Sequence, residues 1–245
     1  MKFASISIVL VSLLLVVPSA FGNCYPSGYP CGFLYSGGTF TAIDYPGRTV
    51  TETMPFGINN IGQVVGLYVD PSGPHAFVYE GGQYTSLNYP GAPYSFATGI
   101  NNNGQIVGYY YVSNNSPAQV FLYDHGTYMT LHPLDGSYPY AINDSGTIVG
   151  FLSPNGRWTG FMYSGGILTG INYPGAYGTQ PYGVNNDGVI VGYFEDNTLY
   201  KTHGFVLDGS TFVSVDVPGA SGTYLNGINN LGLIVGSTEK GQGFV

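Results

Sequence analysis

The sequence contains very little charge. Only 7% of its 245 residues are charged, and five Lys and Arg against 13 Asp and Glu give a net charge of −8. Five basic residues cannot form the positive surface that nucleic acid or an anionic membrane attracts, so we expect neither as a partner. Disordered chains have few aromatic and β-branched residues, but aromatics make up 16% here. The chain can therefore bury a core.

Motifs of common catalytic chemistry are also lacking. The chain has no Gly-x-Ser-x-Gly nucleophile turn, no phosphate-binding loop and no acidic calcium loop. Its four histidines are scattered, without the close spacing of zinc ligands. They are His75, His125, His132 and His203. The sequence therefore predicts no metal site and no cofactor.

A long apolar run occurs only at the N-terminus. Lys2 precedes apolar residues 6–17, and Ala20-Phe21-Gly22 provides small residues before a cleavage site. This pattern predicts a secretory signal peptide over residues 1–22 that is removed after Gly22. We therefore expect a secreted protein, extracellular or periplasmic, with no membrane span after cleavage.

Cysteine is nearly absent as well. Cys24 and Cys31 are the only two, and both lie in a short N-terminal arm, residues 23–31. A close pair in an exported chain predicts a disulfide. Closing so small a loop would stabilise the arm by roughly 2–3 kcal/mol.

What the chain has in abundance is a repeat. A turn of the form Ile/Val-Asn-Asn/Asp-x-Gly, followed by a short β-branched run, occurs five times at spacings of 42, 42, 42 and 44 residues. The turns begin at Ile58, Ile100, Ile142, Val184 and Ile228. Each unit adds a Phe-centred strand, a Gly-rich hairpin turn and an alternating strand that usually ends at Pro-Gly. Each repeat thus contains four strands.

Four strands per repeat predict an all-β fold, a β-propeller of five four-stranded blades over residues 32–245. A β-solenoid fits less well, because its coils repeat every ~20–30 residues. The strand after each turn contains one glycine, and a strand glycine permits close approach of another backbone. These are Gly66, Gly108, Gly150, Gly192 and Gly236. We therefore predict that the glycine-containing strands are innermost.

The two ends of the repeat array duplicate one strand. Gly243-Phe244-Val245 repeats the pattern of Gly32-Phe33-Leu34. Two explanations stay open: one terminal strand is redundant in closing the ring, or the chain is part of a longer array.

These motifs resemble the HAF family of extracellular repeat proteins. His75-Ala76-Phe77 matches the tripeptide of the family's name, and residues 57–66 and 99–108 match its Gly-Ile-Asn-Asn-x-Gly-Gln-Ile/Val-Val-Gly segment. The resemblance covers residues 32–245 and implies a repeat fold secreted by bacteria. It implies no assigned reaction, so no catalytic residue is carried over to this sequence.

Candidate site residues occupy one repeat position before the Pro-Gly turn, together with the tyrosine that often follows it. They are Asp44, Tyr45, Asn88, Tyr89, His132, Asn172, Tyr173 and Asp216. Ring closure would place Asp44 and Asp216 in adjacent blades, and a glycoside hydrolase needs two carboxylates about 5–9 Å apart. A turn cap is the simpler interpretation, because Asp, Asn and His interchange at this position.

The variable loops are rich in aromatic residues. These are Tyr94, Phe96, Tyr138, Tyr140, Tyr177, Tyr182 and Tyr224. Tyrosine beside Asn, Ser and Gly is typical of recognition surfaces, although we expect most of the chain's tyrosines to pack between blades. We predict a non-enzymatic, monomeric binding module for an extracellular polymer or surface partner, with carbohydrate as the ligand class. The alternatives are a secreted glycoside hydrolase using Asp44 and Asp216, or a structural wall or matrix protein.

Overall fold

The computed structural model describes residues 31–153 and 156–245. The predicted signal peptide and Cys24 lie outside these residues, so the cleavage and the Cys24–Cys31 disulfide stay predictions. No helix of the described part is long and apolar enough to cross a membrane. Its one helical segment is a single 3-10 turn, His132–Leu134.

Four complete blades follow one another along the chain, each an antiparallel sheet. Blade 1 contains β3 (Glu52–Ile58), β4 (Val64–Asp70), β5 (Gly73–Glu80) and β6 (Gln83–Ser86). Blade 2 contains β7 (Tyr94–Ile100), β8 (Ile106–Tyr111), β9 (Gln119–Asp124) and β10 (Thr127–Thr130). Blade 3 contains β11 (Ser137–Ile142), β12 (Ile148–Leu152), β13 (Thr159–Ser164) and β14 (Ile167–Ile171). Blade 4 contains β15 (Gly178–Val184), β16 (Ile190–Glu195), β17 (Thr202–Asp208) and β18 (Thr211–Val215).

The two ends of the chain form the remaining sheets. Blade 5 has three strands, β19 (Thr223–Ile228), β20 (Ile234–Thr238) and β21 (Gly243–Phe244). A separate hairpin, β1 (Gly32–Ser36) with β2 (Thr39–Ile43), precedes blade 1. The predicted five-bladed β-propeller is thus confirmed.

A central channel of about 570 Å³ runs along the propeller axis. It is lined by the first strand of every blade and the Asn-containing turn that follows it. The prediction that the glycine-containing strands are innermost is therefore wrong, because those strands are the second in each blade.

A β-bulge explains the strand glycines. The pairing of the first and second strands shifts register once in every blade, for example between Pro55 and Gly57. A Cβ atom on Gly66 would lie 2.1 Å from the carbonyl oxygen of Met54, and one on Gly108 would lie 2.0 Å from that of Phe96. The close backbone approach is real, but it comes from the bulged first strand and not from crowding at the axis.

The core lies between successive blades. The Phe of the third strand pairs with the strand glycine and is fully buried in each complete blade. These residues are Phe77, Phe121, Phe161 and Phe205, all 0% exposed. The core clusters combine residues of neighbouring sheets, as in the cluster that includes Val107 of blade 2 with Ile142 and Phe161 of blade 3. One repeat therefore completes its core only with the next repeat.

Asparagine side chains connect the blades at one end of the channel. The Oδ1 atom of Asn101 accepts hydrogen bonds from the backbone N–H groups of Asn103 and Gln105, which closes its own turn. Its Nδ2 atom donates to the carbonyl oxygen of Asn143 in the next blade at 3.0 Å. Asn59 and Asn143 make the same bond to the blade that follows them. The repeated Asn thus determines both the turn and the blade spacing.

Candidate functional site

The strand order gives the propeller two unlike faces. The Asn turns and the Gly-rich hairpins lie at one end of the strands, which we call the Asn-turn face. The loops between second and third strands and the connections from blade to blade lie at the other end, which we call the crossover face. The repeat position chosen from the sequence follows the fourth strand, so all five of its residues belong to the crossover face.

The bulge directs one side chain per blade into the channel. The residue skipped in the pairing of the first and second strands lines the channel in all five blades. These residues are Phe56, Thr98, Tyr140, Tyr182 and Asn226. The position differs in nearly every repeat, although the residues around it are nearly constant. One position of the channel wall therefore differs from repeat to repeat.

A continuous series of aromatic rings extends from blade 2 to blade 5, and two of its members, Tyr140 and Tyr182, line the channel. Ring centroids are 4.1 Å apart between Tyr140 and Tyr182, and 5.0 Å apart between Tyr193 and Tyr224. Contacts of 4.5–5.6 Å continue the series through blades 2 and 3. We call these half-buried residues the aromatic belt: Phe96, Tyr109, Tyr138, Tyr140, Phe151, Tyr182, Tyr193 and Tyr224.

The polar groups of the belt are neutral and hydrogen-bonded. Gln180 is 3% exposed, and its Oε1 atom accepts bonds from Tyr193 Oη at 2.9 Å and Tyr182 Oη at 3.4 Å. Tyr182 Oη also lies 3.2 Å from Tyr140 Oη. Burial raises the pKa of Tyr109 to about 12 and raises the pKa of Tyr140 well above its usual range. These hydroxyls therefore stay protonated and can donate or accept hydrogen bonds.

The tyrosines predicted from the Pro-Gly position pack inside the blades. Tyr89 stacks on Tyr110 with ring centroids 3.7 Å apart, and its hydroxyl lies 2.7 Å from Thr130 Oγ1. Tyr45 on Tyr68 and Tyr173 on Phe194 stack at the same distance. All three form intramolecular contacts and are at most half exposed.

The polar residues at that position each have partners of their own. Asn88 accepts a hydrogen bond from the backbone N–H of Ala76 and donates to His75 Nδ1 at 3.0 Å. Asp216 lies 2.9 Å from His203 Nδ1. Both residues therefore join the fourth strand of a blade to its third strand.

The other three residues at that position have different surroundings. Asp44 accepts from Thr53 Oγ1 at 3.5 Å. His132 is 77% exposed and lies 3.7 Å from Asp135, whereas Asn172 is exposed. Within the described part of the chain, no hydrogen bond or ring contact joins any of the five to another.

A second cavity of about 460 Å³ opens beside Asn172 and Tyr173. Arg157 and Trp158 line it, and the Arg157 guanidinium lies 5.0 Å from the centre of the Tyr177 ring. The guanidinium also donates to the backbone carbonyls of Tyr177 and Ala176. The one tryptophan of the chain thus lies in a shallow surface cavity of the crossover face.

Sequence reasoning identified part of the channel wall. Tyr140 and Tyr182 were among the loop aromatics, but Phe56, Thr98 and Asn226 were not singled out. Their position could have been found from the sequence, because the variable residue always stands two places before the Ile/Val-Asn pair, with Gly or Ala between them. A β-bulge is needed to direct this residue into the channel, and no motif in the sequence predicts the bulge.

No group of three or more His, Cys, Asp or Glu suited to a metal occurs in residues 31–153 and 156–245.

These features define a five-bladed β-propeller with a central channel and a series of aromatic rings that reaches the channel wall at Tyr140 and Tyr182. No protein-family model matches the chain, and no curated protein matches it. Among solved structures, TolB from Acinetobacter baumannii matches with a TM-score of 0.56 and 11% identity, over 82% of this chain and 55% of that one. The putative TolB from Agrobacterium tumefaciens matches with a TM-score of 0.53 and 16% identity, over 73% of this chain and 70% of that one.

Virginiamycin B lyase from Staphylococcus aureus is similar at a TM-score of 0.47 and 17% identity, over 78% of this chain and 68% of that one. The two TolB structures, at identities below 25%, establish the propeller fold and nothing about activity. Function has to be argued from the site itself.

Proposed function

We propose that the protein is a secreted, non-enzymatic propeller that binds a neutral carbohydrate polymer or a glycan on a surface partner. The observation that supports this proposal is the aromatic belt, which spans blades 2 to 5 and reaches the channel at Tyr140 and Tyr182. Planar rings with neutral hydroxyl tips offer an apolar face to a sugar ring and hydrogen bonds to its hydroxyl groups.

The electrostatics of the site favour a neutral ligand. The belt contains no Lys, Arg, Asp or Glu, and burial raises the pKa values of Tyr109, Tyr140 and Tyr193, so these three hydroxyls stay protonated. Gln180 and Asn226 add amide groups that can donate and accept hydrogen bonds. A highly charged ligand would lose its hydration at the belt and gain no ion pair in return.

Several features of the proposal extend beyond the site. The signal-like N-terminus supports export to the periplasm or beyond, and the sequence resemblance to HAF repeat proteins agrees with this localisation. We propose a monomer, because a ring of blades can bind its ligand along its own axis.

The hydrolase alternative has weaker support. Asp216 contacts His203 and Asp44 contacts Thr53, and these partners lie in different blades. A glycosidase needs its two carboxylates directed at one bond. The structural wall protein has no specific observation in its favour.

A glycan array of the mature protein, followed by titration of the best ligand, tests the proposal. Tyr182→Ala removes a ring from the centre of the belt and should weaken binding about tenfold, the equivalent of about 1.4 kcal/mol. Tyr163→Ala serves as a matched control, because Tyr163 is a half-buried tyrosine that packs against the core of blade 3 and lies outside the belt. Equal affinities for Tyr182→Ala and the parent would reject the belt as the binding site.

The same titration discriminates the alternatives. If binding used the Pro-Gly position, Tyr89→Ala would weaken it in part, since other blades would keep their sites. If the protein were a hydrolase, the parent would release sugars and either Asp44→Asn or Asp216→Asn would abolish that release.

A further inference from the structure

The second cavity of the crossover face, about 460 Å³ in volume, lies where blade 3 meets blade 4, and we call it the tryptophan cavity. Arg157 and Trp158, which lead into the third strand of blade 3, line it. They stand four and three places before the buried Phe161. The same two places in the other complete blades hold Gly73-Pro74, Pro117-Ala118 and Lys201-Thr202. The repeat therefore does not explain why the one tryptophan of the chain stands here.

Backbone contacts hold the indole of Trp158 at the wall of the cavity. The Trp158 carbonyl oxygen accepts a hydrogen bond from the Thr179 N–H of blade 4 at 3.0 Å. A Cβ atom on Gly178 would lie 3.5 Å from Cε3 of the indole, so the ring is in ordinary van der Waals contact with that backbone. Trp158 is nevertheless only half-buried. The part of its ring that does not face blade 4 is therefore available to a ligand.

Arg157 is held in a fixed position and keeps hydrogen-bond donors in reserve. Its Nε and Nη2 atoms donate to the backbone carbonyls of Tyr177 at 3.0 Å and Ala176 at 3.3 Å, and the guanidinium lies 5.0 Å from the centre of the Tyr177 ring. Within residues 31–153 and 156–245, its Nη1 group donates no hydrogen bond and no carboxylate forms an ion pair with it. The guanidinium thus presents an uncompensated charge and two N–H donors beside the cavity.

A loop of blade 4 approaches the same cavity. Asn197 donates a hydrogen bond through Nδ2 to the carbonyl of Gly175, and the ring centroids of Tyr177 and Tyr200 are 5.2 Å apart. Tyr200 has a φ of 53° and is 63% exposed. Side chains other than glycine seldom adopt this left-handed conformation, and those that do are concentrated at binding and catalytic sites. The loop therefore gives a second reason to place a ligand here.

The charge of the cavity limits what that ligand is. Among the described residues that line it, Arg157 is the one with a charged side chain. The chain as a whole has a net charge of −8, so long-range repulsion opposes polyanions. One planar guanidinium matches one carboxylate at short range. A ligand with a single carboxylate fits these conditions, and the volume lies in the range of small-ligand pockets.

We propose that the tryptophan cavity binds an acidic sugar, a pyranose ring that bears one carboxylate. The apolar face of the sugar packs on the indole of Trp158, and its carboxylate accepts hydrogen bonds from Nη1 of Arg157. Asn172, whose exposed amide lines the cavity, donates to and accepts from the sugar hydroxyls. This site is separate from the aromatic belt and does not depend on the function proposed for the belt.

The fluorescence of Trp158 reports directly on this site, because the chain has no other tryptophan. The probes are a disaccharide of glucuronic acid linked to glucose and its neutral counterpart cellobiose, which differ only in a carboxylate against a hydroxymethyl group. The acidic disaccharide should change the Trp158 emission with a saturable dependence and bind about tenfold more tightly than cellobiose, as a charged hydrogen bond predicts. Equal affinities, or calorimetric binding without a change in emission, would overturn the proposal.

Charge-removing variants locate the carboxylate. Arg157→Gln should weaken binding of the acidic disaccharide about tenfold and leave that of cellobiose unchanged. Lys201→Gln is the matched control, since Lys201 occupies the position of Arg157 in blade 4 and does not line the cavity. Equal losses in the two variants would show an effect of overall charge and would overturn the site. The comparison of the two disaccharides on the parent protein needs no variant, so the test does not depend on how Arg157→Gln folds.

A belt variant separates this proposal from the function proposed for the aromatic belt. Tyr182→Ala should leave the affinity for the acidic disaccharide and the change in Trp158 emission as they are in the parent. If Tyr182→Ala abolished both, the acidic sugar would bind at the belt and the tryptophan cavity would be rejected. If glycan binding at the belt failed and the acidic disaccharide still changed the Trp158 emission, the function proposed for the belt would fall and this site would stand.

Discussion

The two faces of the propeller are built from the same repeat but use it in opposite ways. The Asn-turn face has nearly the same residues in every blade, and these residues hydrogen-bond to one another from blade to blade. The crossover face differs in every blade and has half-buried rings, two of which line the channel. The constant end of the repeat holds the ring together, and the variable end is where we place the binding site.

The difference follows from what each end must satisfy. At the Asn-turn face, buried backbone groups need partners at fixed positions, and one side chain supplies them in each blade. In the channel wall, by contrast, the bulged residue needs only to fit the channel, so Phe, Thr, Tyr and Asn all occur there. Substitutions at the first face should therefore reduce stability, and substitutions at the second should change binding.

The largest expected effect is at the Asn-turn face. Asn101→Ala should lower the free energy of unfolding by about 2–3 kcal/mol, because Asn101 is buried and its partners would lose their hydrogen bonds. Asn229→Ala is the matched control at the same repeat position. Asn229 is exposed and donates to no other blade within residues 31–153 and 156–245, so its loss should cost about 1 kcal/mol or less. Urea unfolding measures both, and equal losses would contradict a role for the interblade bond.

A smaller effect is expected within the aromatic belt. Tyr193→Phe removes the hydroxyl that donates to Gln180 Oε1 and should lower the free energy of unfolding by about 1 kcal/mol. Tyr163→Phe removes a hydroxyl that forms no hydrogen bond with the described part of the chain, so it should leave stability unchanged. If Tyr193→Phe lowered the free energy of unfolding as much as Asn101→Ala, this would contradict the proposed difference between the two faces.

The smallest effect is a local response to acid at the crossover face. Hydrogen bonds from the Ser221 hydroxyl and from the backbone N–H groups of Gly222 and Ser221 lower the pKa of Glu239 to about 2. A carboxyl with a lowered pKa in the folded state stabilises the fold above its unfolded value and loses this effect as the pH falls through the folded value. The loop at residues 221–222 should therefore loosen between about pH 4.5 and 2.

Backbone amide chemical shifts of Ser221 and Gly222 measure this transition. Glu239→Gln should abolish it, because the amide does not titrate. Shifts that persist over the same pH range in Glu239→Gln would assign the transition to another group.

The fold could be predicted from the sequence because the repeat encodes it locally. Asn-Gly turns, Pro-Gly turns and alternating strands recur at one spacing, and only a ring of four-stranded sheets satisfies all of them. The order of strands within a blade was less accessible. The strand glycines correctly indicated a close backbone approach. The approaching segment is the bulged first strand of the same blade, however, and not a backbone crowded at the axis, so the prediction that the second strand is innermost is wrong.

The site was only partly predictable from the sequence, because the packing of each aromatic ring depends on the tertiary structure. Tyr45, Tyr89 and Tyr173 look exposed in a turn sequence, yet each stacks on an aromatic residue of a neighbouring strand. Tyr140 and Tyr182 have the same composition around them and instead face the channel. Residue type and spacing do not distinguish these two environments.

The sequence by itself determined the number of blades, the turns and the residues of the core, because these depend on periodicity and on local backbone preferences. The tertiary structure alone decided which aromatic rings face the channel, where one bulge in each first strand redirects a side chain. It also decided that Val235 and Ile58 are exposed, because their exposure depends on how the first and last blades lie in space. Contacts between residues so far apart in the chain have no signature in local sequence.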